Sequence, residues 1–326
     1  MKKLITFLNI CLVCIMFVSC NKGINKIGSK DKLNVFATFS DAQGFRKTIA
    51  DGMESYADSN DINLDLEIAD TNIETQVKQV KKAKEKGYDI IVCLLVDADT
   101  SQQIINAAGD IPVIFTSVEP DESKLKEDKY IYVASDENKV VDYMFEYLSD
   151  YFKNNKSFNA VILEGDRKQK CTVIRTDGLK EKLKANGFHV DYVFQDTANW
   201  SQEKSKNIMK ILLKLNKKFD CVICNNDDMA MGVADGLQEC GINPSKTPIL
   251  GVDAISEACE YISDGRMAFS VKQSGEGQGK SVMKAAQALK KGQKIKDLEY
   301  ADKSGKYIWY PYTKVNKDNA SEYIEK

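Results

Sequence analysis

The sequence predicts an α/β protein whose parallel sheets form two similar lobes. Short apolar runs, typical of strands, alternate with amphipathic stretches, typical of helices, along most of the chain. Residues 89–96 are apolar almost throughout, as parallel strands are when helices cover both faces of their sheet. This alternation indicates βαβ units. Because two series of about five units follow each other, we expect two lobes rather than one large sheet.

The first series combines half-buried and fully buried strands. Apolar and polar residues alternate over 62–68, as in a strand with one buried face. The next helix has Thr71 or Asn72 as its N-cap, and Gly87 marks its end. The predicted strands are 33–38, 62–68, 89–96 and 112–116, and the predicted helices are 46–58, 72–86 and 101–108.

The second series continues the same alternation to residue 291. Cys221 and Cys224 are three positions apart, so on a strand they point to opposite faces. The predicted strands are 130–133, 160–163, 190–194, 220–224, 249–252 and 268–272. The predicted helices are 137–154, 172–186, 201–215, 229–240, 256–263 and 277–291.

The start of the chain has the pattern of an export signal. Two lysines precede an apolar run over 4–18, which is short for a transmembrane span. Residues 17–20, Phe-Val-Ser-Cys, resemble a bacterial lipobox, in which the cysteine is lipidated. We therefore expect a signal peptide at 1–19, lipidation at Cys20 and a flexible tether at 20–32. A retained N-terminal anchor is the alternative.

The net charge and the positions of cysteine and histidine argue against two kinds of function, nucleic-acid binding and zinc binding. Loss of residues 1–19 changes the net charge from −2 to −4, which gives no support to nucleic-acid binding. The single histidine, His189, lies far from any cysteine cluster, so no zinc site is indicated. We interpret Cys93, Cys221 and Cys224 as small buried hydrophobes, and we hypothesise that the mature thiols are unpaired.

A polar stretch follows one of the buried strands. Asn225, Asn226 and Asp227 come directly after the strand at 220–224, where a helix should begin. In doubly wound sheets, ligands bind at the carboxyl ends of strands. These side chains are therefore helix caps, ligands of a small polar molecule, or both.

The chain from about residue 33 onward resembles the periplasmic sugar-binding proteins of ABC transporters, in particular the galactose/glucose-binding branch. The motifs that carry the resemblance are Thr-Ala-Asn-Trp at 197–200, the stretch 224–232, Gly-Val-Asp-Ala at 251–254, Gly-Gln-Gly-Lys at 277–280, Tyr-Pro-Tyr at 310–312 and Asp-Asn at 318–319. The resemblance implies a type I periplasmic-binding-protein fold, with two Rossmann-like lobes joined by three hinge crossovers. It places the first lobe at 33–115 plus 275–308 and the second at 116–272 plus 309–326.

In the second lobe, the resemblance implies a set of ligand-binding residues. Arg175 matches an arginine that donates to sugar oxygens, and Asn226 and Asp253 match polar ligands of the ring hydroxyls. Trp200 matches the tryptophan that lies against one face of the sugar, and Gln273 stands in place of an asparagine. Taken singly, each has a structural alternative, such as a solvated charge, a core residue or a helix cap. Amide, carboxylate and guanidinium groups suit adjacent hydroxyls, and an aromatic ring suits C–H faces.

The first lobe departs from the family pattern. Asp41 is the candidate acidic residue of the first loop, and Phe39 or Phe45 is the candidate second aromatic. Leu94 takes the position of a family asparagine.

Two further departures lie in the loop after the strand at 160–163. Gln169 replaces a histidine, and Cys171 replaces an aspartate, so a less polar site is expected. The calcium loop of enteric members is absent, because 153–157 contains no acid.

The resemblance implies a lipid-anchored extracytoplasmic protein that captures a galactose/glucose-like monosaccharide and delivers it to an ABC permease. We expect a monomer without cofactor or metal and without a nucleic-acid partner. The alternative is a sensor that presents its ligand to a chemoreceptor or histidine kinase. A repressor is disfavoured because no helix-turn-helix precedes residue 33. An enzyme is disfavoured because no phosphate loop or catalytic grouping is found.

Overall fold

The computed structural model describes residues 32–325. The predicted signal peptide, the lipidation at Cys20 and all but the last residue of the predicted tether lie outside this range. Within it, no helix combines the length and apolar character that a membrane span requires.

The first part of the chain forms strands and helices close to the predicted bounds. They are β1 (Asn34–Phe39), α1 (Phe45–Ser59), β2 (Asn63–Ile68), α2 (Ile73–Lys86), β3 (Ile90–Leu94), α3 (Ser101–Ala108), β4 (Val113–Thr116) and β5 (Tyr130–Ala134). The Asn72 side chain caps α2, and Gly87 ends it in the left-handed conformation, as the sequence predicts.

The remaining elements continue the alternation. They are α4 (Glu137–Tyr151), β6 (Ser157–Glu164), α5 (Lys170–Val173), α6 (Leu179–Ala185), β7 (His189–Thr197), α7 (Gln202–Lys214), β8 (Cys221–Cys224), α8 (Asp227–Glu239), β9 (Ile249–Leu250), α9 (Ser256–Ser263), β10 (Ser270–Lys272), α10 (Gly275–Lys290), β11 (Tyr307–Trp309) and β12 (Thr313–Val315). The helix expected at 172–186 is interrupted, because a π-helical turn at Ile174–Gly178 joins α5 to α6.

The predicted α/β fold with two parallel sheets is confirmed. The first sheet has the order β2-β1-β3-β4-β5-β11, and the second has the order β7-β6-β8-β9. Every pairing within these two sheets is parallel. A separate antiparallel pair, β10 with β12, completes the strands of the described chain.

The chain passes between the lobes three times. We name the first crossing (135–136, from β5 to α4), the second crossing (273–274, from β10 to α10) and the third crossing (310–312, from β11 to β12). The second crossing returns the chain to the first lobe, where α10 packs against α1. There a Cβ on Gly279 would lie 2.3 Å from the carbonyl oxygen of Ile49, so only glycine permits this close approach.

Two predicted lobe boundaries are wrong. The second lobe was expected to begin at residue 116, but β5 pairs with β4 and β11 in the first sheet. The boundary at 308 also falls inside β11, which ends at Trp309. The first crossing therefore lies about twenty residues later than the family resemblance implied. An apolar run predicts a strand but not the sheet that the strand joins.

Each lobe has its own apolar core. The first sheet and its helices enclose one large cluster, and the second sheet has a cluster on each face. As predicted, Cys221 and Cys224 lie on opposite faces of β8 in these two clusters, and Cys93 lies in the first core. All three are fully buried, and burial raises the pKa of each thiol.

This burial predicts the reactivity of the thiols. Six cysteines of the described chain are free, and among them only Cys240 is exposed. In a native fragment that starts at residue 21, we expect Cys240 to react first with a thiol reagent because the thiolate is the reactive form and requires access. Titration of the unreduced fragment in urea should count all six thiols. A lower count would contradict the hypothesis of unpaired thiols.

Candidate functional site

A cavity of about 640 Å³ lies between the two lobes. This size suits a small molecule. Its walls include all seven residues that the sequence analysis proposed for ligand binding: Asp41, Gln169, Arg175, Trp200, Asn226, Asp253 and Gln273. Both lobes contribute, so a ligand held here would contact each of them.

Arg175 lies in the π-helical turn and is 4% exposed. Its Nε donates to Glu137 Oε2 at 2.6 Å, and its Nη2 donates to Glu137 Oε1 at 2.8 Å. Nη1 donates to the carbonyl oxygen of Asn225 at 2.7 Å, and Nη2 also approaches the Tyr312 hydroxyl at 3.4 Å. The protein itself therefore uses most of the N–H groups of this guanidinium, which leaves little capacity for the donation to a sugar that the resemblance implied.

The environment of Arg175 keeps it charged. Burial alone lowers the pKa of a guanidinium, but the Glu137 carboxylate and the Tyr312 hydroxyl raise it. The net pKa of Arg175 lies well above its ordinary value. The Tyr312 hydroxyl also donates to Glu137 Oε1 at 3.0 Å. The three side chains thus form one buried network at the edge of the cavity.

Only one of the three polar residues after β8 faces the cavity. Asn225 is satisfied internally: its Oδ1 accepts from the Gly165 amide, and its Nδ2 donates to Thr176 Oγ1, both at 3.1 Å. Asp227 is fully buried, and it accepts from the Ser270 hydroxyl at 2.6 Å. Asn226 lines the cavity and also caps α8 through its Oδ1. The prediction of a helix cap is therefore confirmed for Asn226, which also faces the cavity, whereas the side chains of Asn225 and Asp227 are hydrogen-bonded within the protein.

Asp253 and Gln273 differ from these satisfied groups. Each is 8% exposed and lines the cavity, and neither side chain forms a hydrogen bond within the described chain. Burial raises the pKa of Asp253 well above its ordinary value, although the Arg175 charge opposes this. Asp253 also has a left-handed φ of 109°, a strained conformation that is typical of functional positions. Their polar atoms are available to a ligand.

Trp200 forms an aromatic wall of the cavity. It lies in a turn between β7 and α7 with φ of 63°, as the polar residues around it predict. The indole packs against Gly165, where an added Cβ would lie 2.0 Å from Trp200 Cζ2. The indole Nε1 is buried and has no hydrogen-bond partner within the described chain.

The first lobe supplies a loop to the opposite wall. Asp41 lines the cavity and forms an ion pair with Arg46. Of the two candidate aromatic residues, Phe45 lines the cavity, whereas Phe39 is fully buried in the core. Leu94, which takes the position of a family asparagine, is fully buried and does not line the cavity.

Gln169 and Cys171 lie together at one end of the cavity. The Cys171 thiol approaches Gln169 Oε1 at 3.8 Å, and burial raises the pKa of the thiol to about 11. Cys171 is therefore a neutral lining group at neutral pH, as the substitution of a family aspartate predicts.

Several lining residues escaped the sequence analysis: Gln43, Gly44, Arg46, Thr71, Ser117, Glu137, Asn199, Ser201 and Asp228. Asp228 could have been found, because it stands two positions after Asn226 at the start of the same helix. Glu137 carries no comparable signal, since it meets Arg175 only through the folding of α4 onto the second lobe. No group of three or more acidic, cysteine or histidine side chains that could hold a metal ion occurs in residues 32–325.

Comparison with known proteins matches residues 34–294 to the family described as "Periplasmic binding protein domain". A D-galactose/methyl-galactoside binding periplasmic protein of Haemophilus influenzae is 27% identical over 77% of this chain and 78% of its own length. A xylitol-binding protein of Mycolicibacterium smegmatis is 26% identical over 94% of this chain and 84% of its own. An ABC transporter solute binding protein from Bacillus halodurans, solved with bound myo-inositol, has the same fold, with a TM-score of 0.78 at 24% identity over 91% of this chain and 99% of its own.

The buried pair predicts a specific effect on stability. In Glu137→Gln, Arg175 keeps its charge but loses the carboxylate that compensates it, so we expect the free energy of unfolding to fall by about 3 kcal/mol. Urea denaturation measures this change. The control is Asp51→Asn, which removes the acid of an exposed Lys47–Asp51 pair and should change stability little. Equal, small effects of both substitutions would contradict a structural role for the pair.

Proposed function

Because this chain belongs to the periplasmic binding protein family, we propose that it captures a monosaccharide or a similar ring-shaped polyol in the cavity between its lobes. The observation that carries the proposal is the convergence of polar side chains from both lobes, together with Trp200, on one cavity of about 640 Å³. We propose binding without chemical conversion, as the names of the relatives describe binding proteins.

The lining chemistry supports a polyhydroxylated ligand. Asp253 and Gln273 are buried, point into the cavity and have no partner in the described chain. A carboxylate accepts from hydroxyl groups, and an amide both donates and accepts. Trp200 and Phe45 offer aromatic surface to the C–H faces of a ring. A missing hydroxyl would leave one of the buried polar groups unpaired, which gives the site its selectivity.

The finer identity of the ligand is proposed from the resemblance and the relatives. A galactose/glucose-like monosaccharide is the first candidate, since the motifs of that branch supply Asn226, Trp200 and Asp253, and a curated relative is described as binding D-galactose. Gln169 and Cys171 offer no carboxylate at their end of the cavity. At this end of the cavity, we therefore expect the preference for ligand hydroxyl groups to differ from that of a galactose-binding protein.

We also propose where the protein is held and which protein receives its ligand. We propose that Cys20 carries a lipid anchor and that residues 20–32 tether the two lobes to the outer face of the membrane. Closure of the lobes on the ligand stabilises the closed form only through contacts that the open form lacks. We propose that an ABC permease receives the ligand from this closed form.

Thermal shift and calorimetry of a fragment that starts at residue 21 test this function. The panel is D-galactose, D-glucose, D-ribose, xylitol and myo-inositol. A ligand at about 100 times its Kd should stabilise the folded state by roughly 2.7 kcal/mol and raise Tm. Absence of both a shift and heat with every member at millimolar concentration would refute the proposed function.

Gln273→Ala should weaken binding of any panel ligand that wild type binds. We expect a loss of roughly 1–3 kcal/mol of binding free energy, because a buried hydrogen-bond partner is removed. Its side chain has no partner in the described chain, so Tm without ligand should change little. The control is Gln238→Ala, an equivalent truncation on the exposed face of α8. Unchanged affinity in Gln273→Ala would remove this residue from the site.

A further inference from the structure

Among the charged residues that line the cavity, acidic side chains outnumber basic ones. They are four carboxylates and two guanidiniums: Asp41, Glu137, Asp228, Asp253, Arg46 and Arg175. Each guanidinium is already paired, Arg46 with Asp41 and Arg175 with Glu137. No described lysine or histidine lines the cavity. Two carboxylates, Asp228 and Asp253, are therefore left without an ion-pair partner among the charged residues that line the cavity.

These two carboxylates approach the cavity from neighbouring elements of the second lobe. Asp228 lies in the first turn of α8, where Asn226 Nδ2 donates to its Oδ2 at 3.1 Å. Neither it nor Asp253 forms an ion pair within residues 32–325, and Asp253 also lacks any side-chain hydrogen bond there. Asp228 faces the first lobe, since a Cβ on Gly44 would lie 3.9 Å from Asp228 Oδ2. Lobe closure on a ligand would trap both carboxylates.

A second observation shows that this is a ligand position rather than an acidic surface. The Gln273 side chain is more than nine-tenths buried, lines the same cavity and has no hydrogen-bond partner in the described chain. Asp253 has the same properties. When the lobes close, such groups would be costly to bury without a partner. A ligand that satisfies Gln273 therefore brings its other atoms beside the two carboxylates.

Resting on the proposed function, we propose that the preferred ligand of this cleft is a polyhydroxylated ring that carries a protonated amino group, such as an amino sugar. An ammonium group has N–H donors and no acceptor, which matches carboxylates. It also supplies the positive charge that the cavity lacks, and charge-assisted hydrogen bonds are stronger than neutral ones. A neutral sugar would donate hydroxyl hydrogen bonds to these carboxylates but would bring no positive charge to them. Burial raises the pKa of Asp228 and of Asp253, so a positive charge placed beside them would favour their ionised forms.

Calorimetry with matched ligands tests this preference. The probes are D-galactosamine and D-glucosamine, their parent sugars, and their N-acetyl derivatives, which keep the nitrogen but lose its charge. We expect at least one amine to bind about tenfold or more tightly than its parent and its N-acetyl form, as one charge-assisted hydrogen bond allows. Equal or tighter binding of the parent sugars overturns this inference and leaves the proposed function intact. Failure of every probe and of the neutral panel overturns both.

The variant Asp228→Asn tests the effect of the negative charge at this position without a change in side-chain size. Asparagine keeps the size of the side chain and still accepts the hydrogen bond from Asn226, but it removes the negative charge. We expect the ratio of the affinity for the amine to the affinity for its parent sugar to fall about tenfold, because only the amine loses a charge-assisted hydrogen bond. The control is Glu239→Gln, which makes the same charge change at the other end of α8, outside the cavity. An unaltered preference in Asp228→Asn overturns the role of this carboxylate.

Discussion

The buried pair of Arg175 and Glu137 is the interaction on which the arrangement of the cleft depends. Glu137 begins α4 directly after the first crossing, and Tyr312, which joins the pair, lies in the third crossing. Arg175 also holds the carbonyl oxygen of Asn225 at the end of β8. One guanidinium therefore connects two hinge segments to the strand end that presents Asn226. A guanidinium can be buried at this point only because a carboxylate meets it in bidentate geometry.

At the edge of the second sheet, the hydrogen-bond partners of each buried side chain distinguish structural residues from residues that face a ligand. Asn225 and Asp227 have their polar atoms satisfied by neighbouring backbone and side chains. Asp253 and Gln273 are also buried, although less completely, and their side chains have no hydrogen-bond partner in residues 32–325. Since buried polar groups in folded proteins nearly always have partners, the unsatisfied ones point to a partner from outside the chain. The sequence alone could not separate these two kinds of residue, because Asn225 and Asp227 are direct neighbours of the cavity-lining Asn226.

Much of the fold and of the site could be predicted from the sequence. Strand and helix bounds followed from apolar periodicity, and the cap of α2 was predicted by its Asn and Gly signals. The seven proposed ligand-binding positions share one cavity because strand ends and loops in a parallel sheet meet at the same edge. The sheet that β5 joins was not predictable, since buried strands look alike in sequence. Glu137 and the π-helical turn were missed because both depend on long-range packing.

The first lobe is assembled from the two ends of the described chain. Its helix α1 packs against α10, and the outer strand β11 of its sheet comes from residues 307–309. During synthesis, the glycine contact that joins these helices cannot form until all four strands of the second sheet have been made. Of the two sheets, only the second is formed by strands that follow one another along the chain without interruption. We therefore expect the second lobe to fold before the first lobe, although the first lobe begins earlier in the sequence. A chain that stops before residue 275 would present the apolar face of α1 to solvent, which favours aggregation.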